Sequence, residues 1–173
     1  MNYAAIKIAD CSNGTGVRTV LFVSGCTHHC KGCFQPETWD FNFGKPYTEN
    51  EEKFILNSLE NSYVDGLTIL GGEPMESRNQ PAILPLIEKT HEMGKTIWIY
   101  SGYTWEEITD KSNPRCHVPG VTDRILRNID ILVDGEFHEK EKDITLKFKG
   151  SSNQRILNVQ ESLKAGRPVL AAI

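Results

Sequence analysis

A chain of 173 residues, 39% apolar and 24% charged, is sized for one globular domain with a substantial core, so a second domain is not expected. Its formal net charge of −4, with basic residues scattered along the chain, advertises no phosphate-tracking surface, and nucleic acid is not an expected partner. The opening "MNYAAIKIADC" has no basic stretch followed by a long apolar run, so neither a signal peptide nor a membrane anchor is expected, and the expected location is cytoplasmic.

"VRTVLFVSG" (17–25) is a β-branched and apolar run that reads as a buried strand. It delivers its C-terminal end to "SGCTHHCKGC" (24–33), three cysteines at C-x3-C-x2-C spacing. "TENEEKFILNSLENS" (48–62) opens on Thr48 and acids, then spaces Phe54, Ile55, Leu56 and Leu59 along one face, as a capped helix does. "GLTILGGEP" (66–74) is a short strand broken by Gly-Gly. "AILPLIEKTHEMG" (82–94) predicts a helix stopped by Gly94, beginning late or bending because of Pro85. "KTIWIYSGYT" is a further strand, with Trp98 expected in the core together with Trp105. Helical spacing returns at "TWEEITD" (104–110) and "VTDRILRNI" (121–129), across the turn-rich "KSNPRCHVPG", before the strand "DILVDGEF" (130–137).

Strand and helix alternate at least four times, which argues for parallel βαβ units. "SGC", "LGGEP", "YSGYT" and "VDGEF" each put glycine and polar residues directly after a strand, and in a β/α barrel such points share the rim where active sites are built. A full barrel takes about 250 residues, so the expected fold is α/β, a partial, open (β/α) barrel, with residues 1–173 as a single domain. An open side leaves the rim shallow and reachable by a segment of a large partner.

Five cysteines is an odd count for a disulfide framework, and in a reducing compartment clustered thiols more often hold metal. A structural zinc site needs four ligands, and here the fourth would come from Cys116 or His117, or from His28 or His29 inside the motif. Three thiolates on an iron–sulfur cubane instead leave one iron free to bind a substrate or cofactor. Spacing alone leaves both open.

C-x3-C-x2-C followed by Phe34, with "GGEP" about forty residues on, resembles the radical SAM superfamily; "GVRTVLFVSGC", "CKGCF", "TW" (38–39), "VDGEF" and "KGSSNQR" resemble, within it, the activating proteins of anaerobic ribonucleoside-triphosphate reductases. The likeness runs over most of residues 12–155 and leaves 156–173 as a C-terminal extension. "NGTGVR" departs from it with Thr15 where proline is frequent. The resemblance implies a fold of the radical SAM type and a 4Fe-4S cluster on Cys26, Cys30 and Cys33, with S-adenosyl-L-methionine chelating the fourth iron. It implies reductive cleavage of that cofactor to methionine and a 5′-deoxyadenosyl radical, which takes a hydrogen atom from a glycine of the partner, the glycyl radical subunit of the reductase. A low-potential electron donor such as reduced flavodoxin is then required, and anaerobic conditions, since an exposed cluster degrades in air.

For cofactor binding the resemblance implies Gly32, Cys33 and Phe34 at the adenosyl end. Gly71 and Gly72 would permit close backbone approach to the methionine moiety, and Glu73 would accept a bond from its ammonium. Ser101 and Asp134 would help to enclose it, although Ser101 also fits a helix cap and Asp134 a turn with Gly135. Lys31, His28 and His29 are expected at the surface, Cys11 and Cys116 as ordinary thiols, "GSSNQ" (150–154) as a polar turn, and the tail as a short helix with an apolar end. Other classes consistent with the residues are another small radical SAM enzyme, either a formate-lyase-type activase or a deazaguanine-pathway enzyme, and a zinc-binding interaction module.

Overall fold

The computed structural model describes residues 1–173. In chain order the strands are β1 (Asn2–Asp10), β2 (Arg18–Val23), β3 (Lys45–Pro46), β4 (Gly66–Gly71), β5 (Thr96–Tyr100), β6 (Ile131–Asp134) and β7 (Arg155–Asn158). The helices are α1 (Glu49–Leu59), α2 (Gln80–Glu92), α3 (Trp105–Thr109), α4 (Thr122–Asn128) and α5 (Val159–Ala165). All seven strands form one open sheet in the order β3-β1-β2-β4-β5-β6-β7.

Its centre is the parallel set β2, β4, β5 and β6, as the strand-helix alternation predicts. Every residue of β2 is buried, which is why that strand reads as a continuous apolar run rather than an alternating one. Leu21, Val23, Leu67, Ile69, Ile97, Ile99 and Leu132 belong to a core of 24 buried residues that also includes Ile55 and Leu59 of α1 and Ile83, Leu86 and Ile87 of α2. The two flanks lie outside the predicted elements: β1 pairs antiparallel with β2 and with the short edge strand β3, and β7 pairs antiparallel with β6 at the other edge. The tail therefore packs on the sheet. It continues past Gly166, which ends α5 in the left-handed region, to Val169 and Ala171, whose backbone bonds those of Asn158 and Ile156.

α1 carries the capping box its sequence announces: Thr48 caps the first turn and Glu51 accepts from the Thr48 N–H at 2.8 Å, worth about 1 kcal/mol. Its apolar face is narrower than predicted. Ile55 and Leu59 are buried and Leu56 packs against the core, but Phe54 turns outward and is 51% exposed. α2 does not begin late; it starts at Gln80 and carries Pro85 within it. Pro81 and Pro85 are both exposed, so the carbonyl that loses its helical donor lies on the side of the helix that water reaches.

Arg18, wholly buried, knits the central strands to the loop before β2. Its guanidinium donates to Thr68 Oγ1 at 2.7 Å, to the Leu67 and Thr96 carbonyls at 2.7 and 3.0 Å, and to Thr96 Oγ1 and the Thr15 carbonyl at 3.1 Å. Thr68 in turn donates to the Asn13 carbonyl at 2.8 Å, which fixes that loop over the end of the sheet.

Candidate functional site

A cleft of about 400 Å³ opens at the C-terminal ends of the parallel strands, within the ~300–1,000 Å³ typical of small-molecule sites. Cys26, Cys30 and Cys33 line it together with Phe34, Gly71, Gly72, Glu73 and Ser101. These are the site residues the sequence singles out, apart from Gly32 and Asp134.

The cysteine loop starts where β2 stops. Gly25 and Cys26 donate to the carbonyls of Thr38 and Trp39 at 2.8 and 3.1 Å, so the short 3-10 turn Pro36–Trp39 braces the first thiol. Cys33 closes the loop on the Cys30 carbonyl at 3.1 Å, with Gly32 at φ +75°, a conformation that favours glycine. Gly32 itself lies outside the cleft, on the exposed side of the loop near Glu139. Thr27 and His28 tie the loop to the rest of the rim. Thr27 bonds the buried carboxylate of Glu76, and His28 lies between Glu73 and Glu136. His28 is thus not at the surface, since only 3% of its side chain is exposed. Burial favours its neutral form, but attraction to Glu73 and Glu136 outweighs this and raises its pKa to about 9. His29 and Lys31 do lie outward, the first stacked 4.6 Å from Trp39 and the second 3.3 Å from Glu139.

The opposite wall is the Gly71–Glu73 turn. A Cβ on Gly71 would meet the Val23 carbonyl at 2.7 Å, and one on Gly72 the Gly25 and Thr38 carbonyls at 2.7 and 2.9 Å. The glycines therefore let this turn press against the cysteine loop, with Gly72 and Glu73 donating to Val23 and Gly25 at 2.8 and 2.9 Å. Glu73 is 1% exposed and takes bonds from the Met75 N–H, the Ser101 hydroxyl and the Gly102 N–H at 2.8, 2.8 and 2.6 Å. His28 Nε2 stands 3.2 Å from Oε2 without making a hydrogen bond, so three protein donors hold the Glu73 carboxylate while its charge borders the cleft.

Ser101 lines the cleft and bonds Glu73, and its oxygen also accepts from the Tyr103 N–H. Asp134 faces away. It is buried against Arg155, whose Nε and Nη2 lie 2.9 and 2.5 Å from its carboxylate, and it accepts from the Trp105 N–H at 2.7 Å. Gly135 takes its place on the cleft wall. Trp98 and Trp105 are buried, as predicted.

Sequence reasoning gave no role to Tyr100, Phe137, Phe148, Lys149 and Gln154, which line the cleft as well. Phe137 stands 5.0 Å from Phe34, and Phe148 packs edge-on to Trp98 at 5.4 Å. Gln154 accepts from Gly150 and donates to the Gly135 carbonyl, folding the "GSSNQ" segment onto the rim. The available signal was its place in "KGSSNQR", a part of the family-like pattern.

The chemistry of the donors fits a thiolate-bound cluster. All five cysteines are free, and three of them face one cavity. Burial, with the Glu73 charge behind it, pushes the Cys26 thiol up to about 12, and burial raises Cys30 as well, so both stay protonated until a metal displaces the proton. The zinc arrangement is not formed. Cys116 donates to the Glu107 carbonyl at 3.3 Å and His117 sits 3.1 Å from that of Ile108, both buried, and no three His, Cys, Asp or Glu side chains converge on a single-ion site. A cubane, which spreads its thiolates over separate irons, makes no such demand. No helix is long and apolar enough to cross a membrane.

Residues 12–157 match the family described as 4Fe-4S single cluster domain. The chain is 39% identical over 160 residues to an anaerobic ribonucleoside-triphosphate reductase-activating protein from Pasteurella multocida, spanning 90% of this chain and 96% of that one. The protein of that name from Vibrio cholerae is also 39% identical over 160 residues, covering 90% and 97%. The one from Enterobacteria phage T4 is 36% identical over 160 residues, covering 90% and 93%.

Proposed function

Because the chain belongs to the 4Fe-4S single cluster domain family, among relatives named as activating proteins of anaerobic ribonucleoside-triphosphate reductase, we propose that it is a radical SAM activase of such a reductase. The observation that carries the reading is the shared cleft: three thiols and the Gly71–Glu73 turn, far apart in sequence, face one cavity at the ends of the parallel strands. On this reading the open sheet is a partial (β/α) barrel of the radical SAM type, and residues 1–173 act as one domain. The reductase's glycyl radical subunit is the macromolecular partner, and reduced flavodoxin serves as the low-potential donor.

Cys26, Cys30 and Cys33 would hold a 4Fe-4S cluster, leaving one iron for S-adenosylmethionine. When bound, this pair supplies reductive cleavage of the sulfonium and hence removal of a hydrogen atom from the partner's glycine. The chain's own contribution is placement. Gly71 and Gly72 bring the second wall into backbone contact with the cysteine loop. The buried Glu73 charge lies where a ligand ammonium would be favoured. Phe34, 64% exposed, and Phe137 and Phe148 supply apolar surface along the cleft.

The experiment is to mix anaerobically reconstituted, reduced protein and S-adenosylmethionine with an anaerobic ribonucleotide reductase. Electron paramagnetic resonance should reveal a glycyl radical on the reductase. A signal that forms only with a formate-lyase-type partner would assign the chain to that other activase class.

A further inference from the structure

His28 lies inside the cysteine loop, between Cys26 and Cys30, yet its imidazole meets side chains from two distant segments. Nδ1 stands 2.6 Å from Oε1 of Glu136, and Nε2 stands 3.2 Å from Oε2 of Glu73. Glu73 follows β4 and takes bonds from Ser101 and Gly102, which follow β5; Glu136 follows β6. One ring therefore joins the loops that follow all four parallel strands, its own loop after β2 included. The ring is also fixed in place. Tyr103 lies 4.3 Å away with the planes at 58°, and a Cβ on Gly102 would meet the imidazole Cδ2 at 2.7 Å.

The loop needs such an anchor. Thr27, His29, Lys31 and Gly32 are exposed, and Cys26 is the one residue of 26–33 that is buried as a whole. Thr27 ties the loop to Glu76 and His29 leans on Trp39, but His28 alone spans to Glu73 on the facing wall and to Glu136 on the far rim. A reacting group displaced by about 1 Å costs on the order of 100-fold in rate, so the register of loop against wall matters more than its mere presence.

We propose that His28 is a positioning residue: by bridging Glu73 and Glu136 it holds the cysteine loop in register with the Gly71–Glu73 wall, so that cluster and S-adenosylmethionine meet in the productive arrangement. This rests on the reading of Cys26, Cys30 and Cys33 as cluster ligands. Outer-shell partners of metal sites are worth about 10- to 100-fold in affinity or activity, which sets the size of effect to expect.

The test compares wild type with His28→Ala and Glu136→Ala after anaerobic reconstitution. Glu136 is half exposed and does not line the cleft, so its removal reaches the cleft through His28 and through the loss of its charge near Cys30; Glu136→Gln, which keeps an acceptor for Nδ1 without the charge, separates the two. Iron and sulfide content, the resonance spectrum of the reduced cluster with and without S-adenosylmethionine, and KM and kcat for its cleavage are read separately. His28→Ala should retain wild-type iron, since all three thiols remain, while KM rises about 10- to 100-fold and the spectral response to S-adenosylmethionine weakens. Glu136→Ala should move the same readouts in the same direction by less. Wild-type KM and spectral response in His28→Ala would overturn the proposal. If that variant takes up no iron, Glu136→Ala decides: a raised KM supports the bridge and an unchanged KM overturns it. Wild-type protein that itself takes up no iron overturns the functional reading and this proposal together, a result distinct from failure of His28 alone.

Discussion

Thr27 donates both its backbone N–H and its hydroxyl to one oxygen, Oε1 of Glu76, at 2.9 and 2.5 Å, which fastens the residue after Cys26 to a buried carboxylate beyond the Gly71–Glu73 turn. Arg115 completes the knot by donating to the Thr27 hydroxyl at 3.1 Å. Replacing Glu76 by alanine removes a charged acceptor shared by Thr27 and Tyr103, so the apoprotein should lose about 1.5–3 kcal/mol in chemical denaturation. Glu76→Gln, which keeps an acceptor in place, should lose less.

The five cysteines should separate into two groups. Cys26→Ala, Cys30→Ala and Cys33→Ala should each lose most of the reconstituted iron and sulfide, because a cluster left with two thiolates is poorly held. Cys11→Ala, on the exposed loop, and Cys116→Ala, bonded to the Glu107 carbonyl, should keep a wild-type content. Metal and sulfide analysis of the five variants checks this.

Gly72→Ala tests whether the glycine serves the protein's own packing. An added methyl meets two carbonyl oxygens, of Gly25 and Thr38, neither at the end of a flexible side chain. The overpacking should cost about 1–3 kcal/mol in the metal-free protein, measured by urea denaturation. If Gly72 mattered only to the bound cofactor, the apoprotein would be unaffected.

Arg155→Met should destabilise the apoprotein by about 3 kcal/mol, because Asp134 then remains buried without its cation. The double variant with Asp134→Asn should recover part of that loss in thermal or chemical denaturation.

The parallel strands and the α1 cap were legible because their signals are local: β-branched runs bounded by glycine, and Thr48 three residues before Glu51. The cysteines and Gly-Gly turn were legible through spacing and through their place after strands. β1 and β7 escaped notice because they are antiparallel additions, identified by pairing rather than by alternation with helices. His28 was expected at the surface for a related reason. A histidine flanked by polar residues shows nothing of a carboxylate 108 residues away, and its burial depends on Glu136 and Glu73 arriving from other loops. Asp134 illustrates the converse, since its rim position after β6 was predictable but its turn toward Arg155 depends on β7.

The central claim is that this cleft holds a three-thiolate cluster with an iron open to S-adenosylmethionine, and the most direct measurement is 5′-deoxyadenosine released by the reduced, reconstituted protein. Protein carrying about four irons per chain should produce it together with methionine in equal amount. An intact, reducible cluster that leaves S-adenosylmethionine whole would contradict the account.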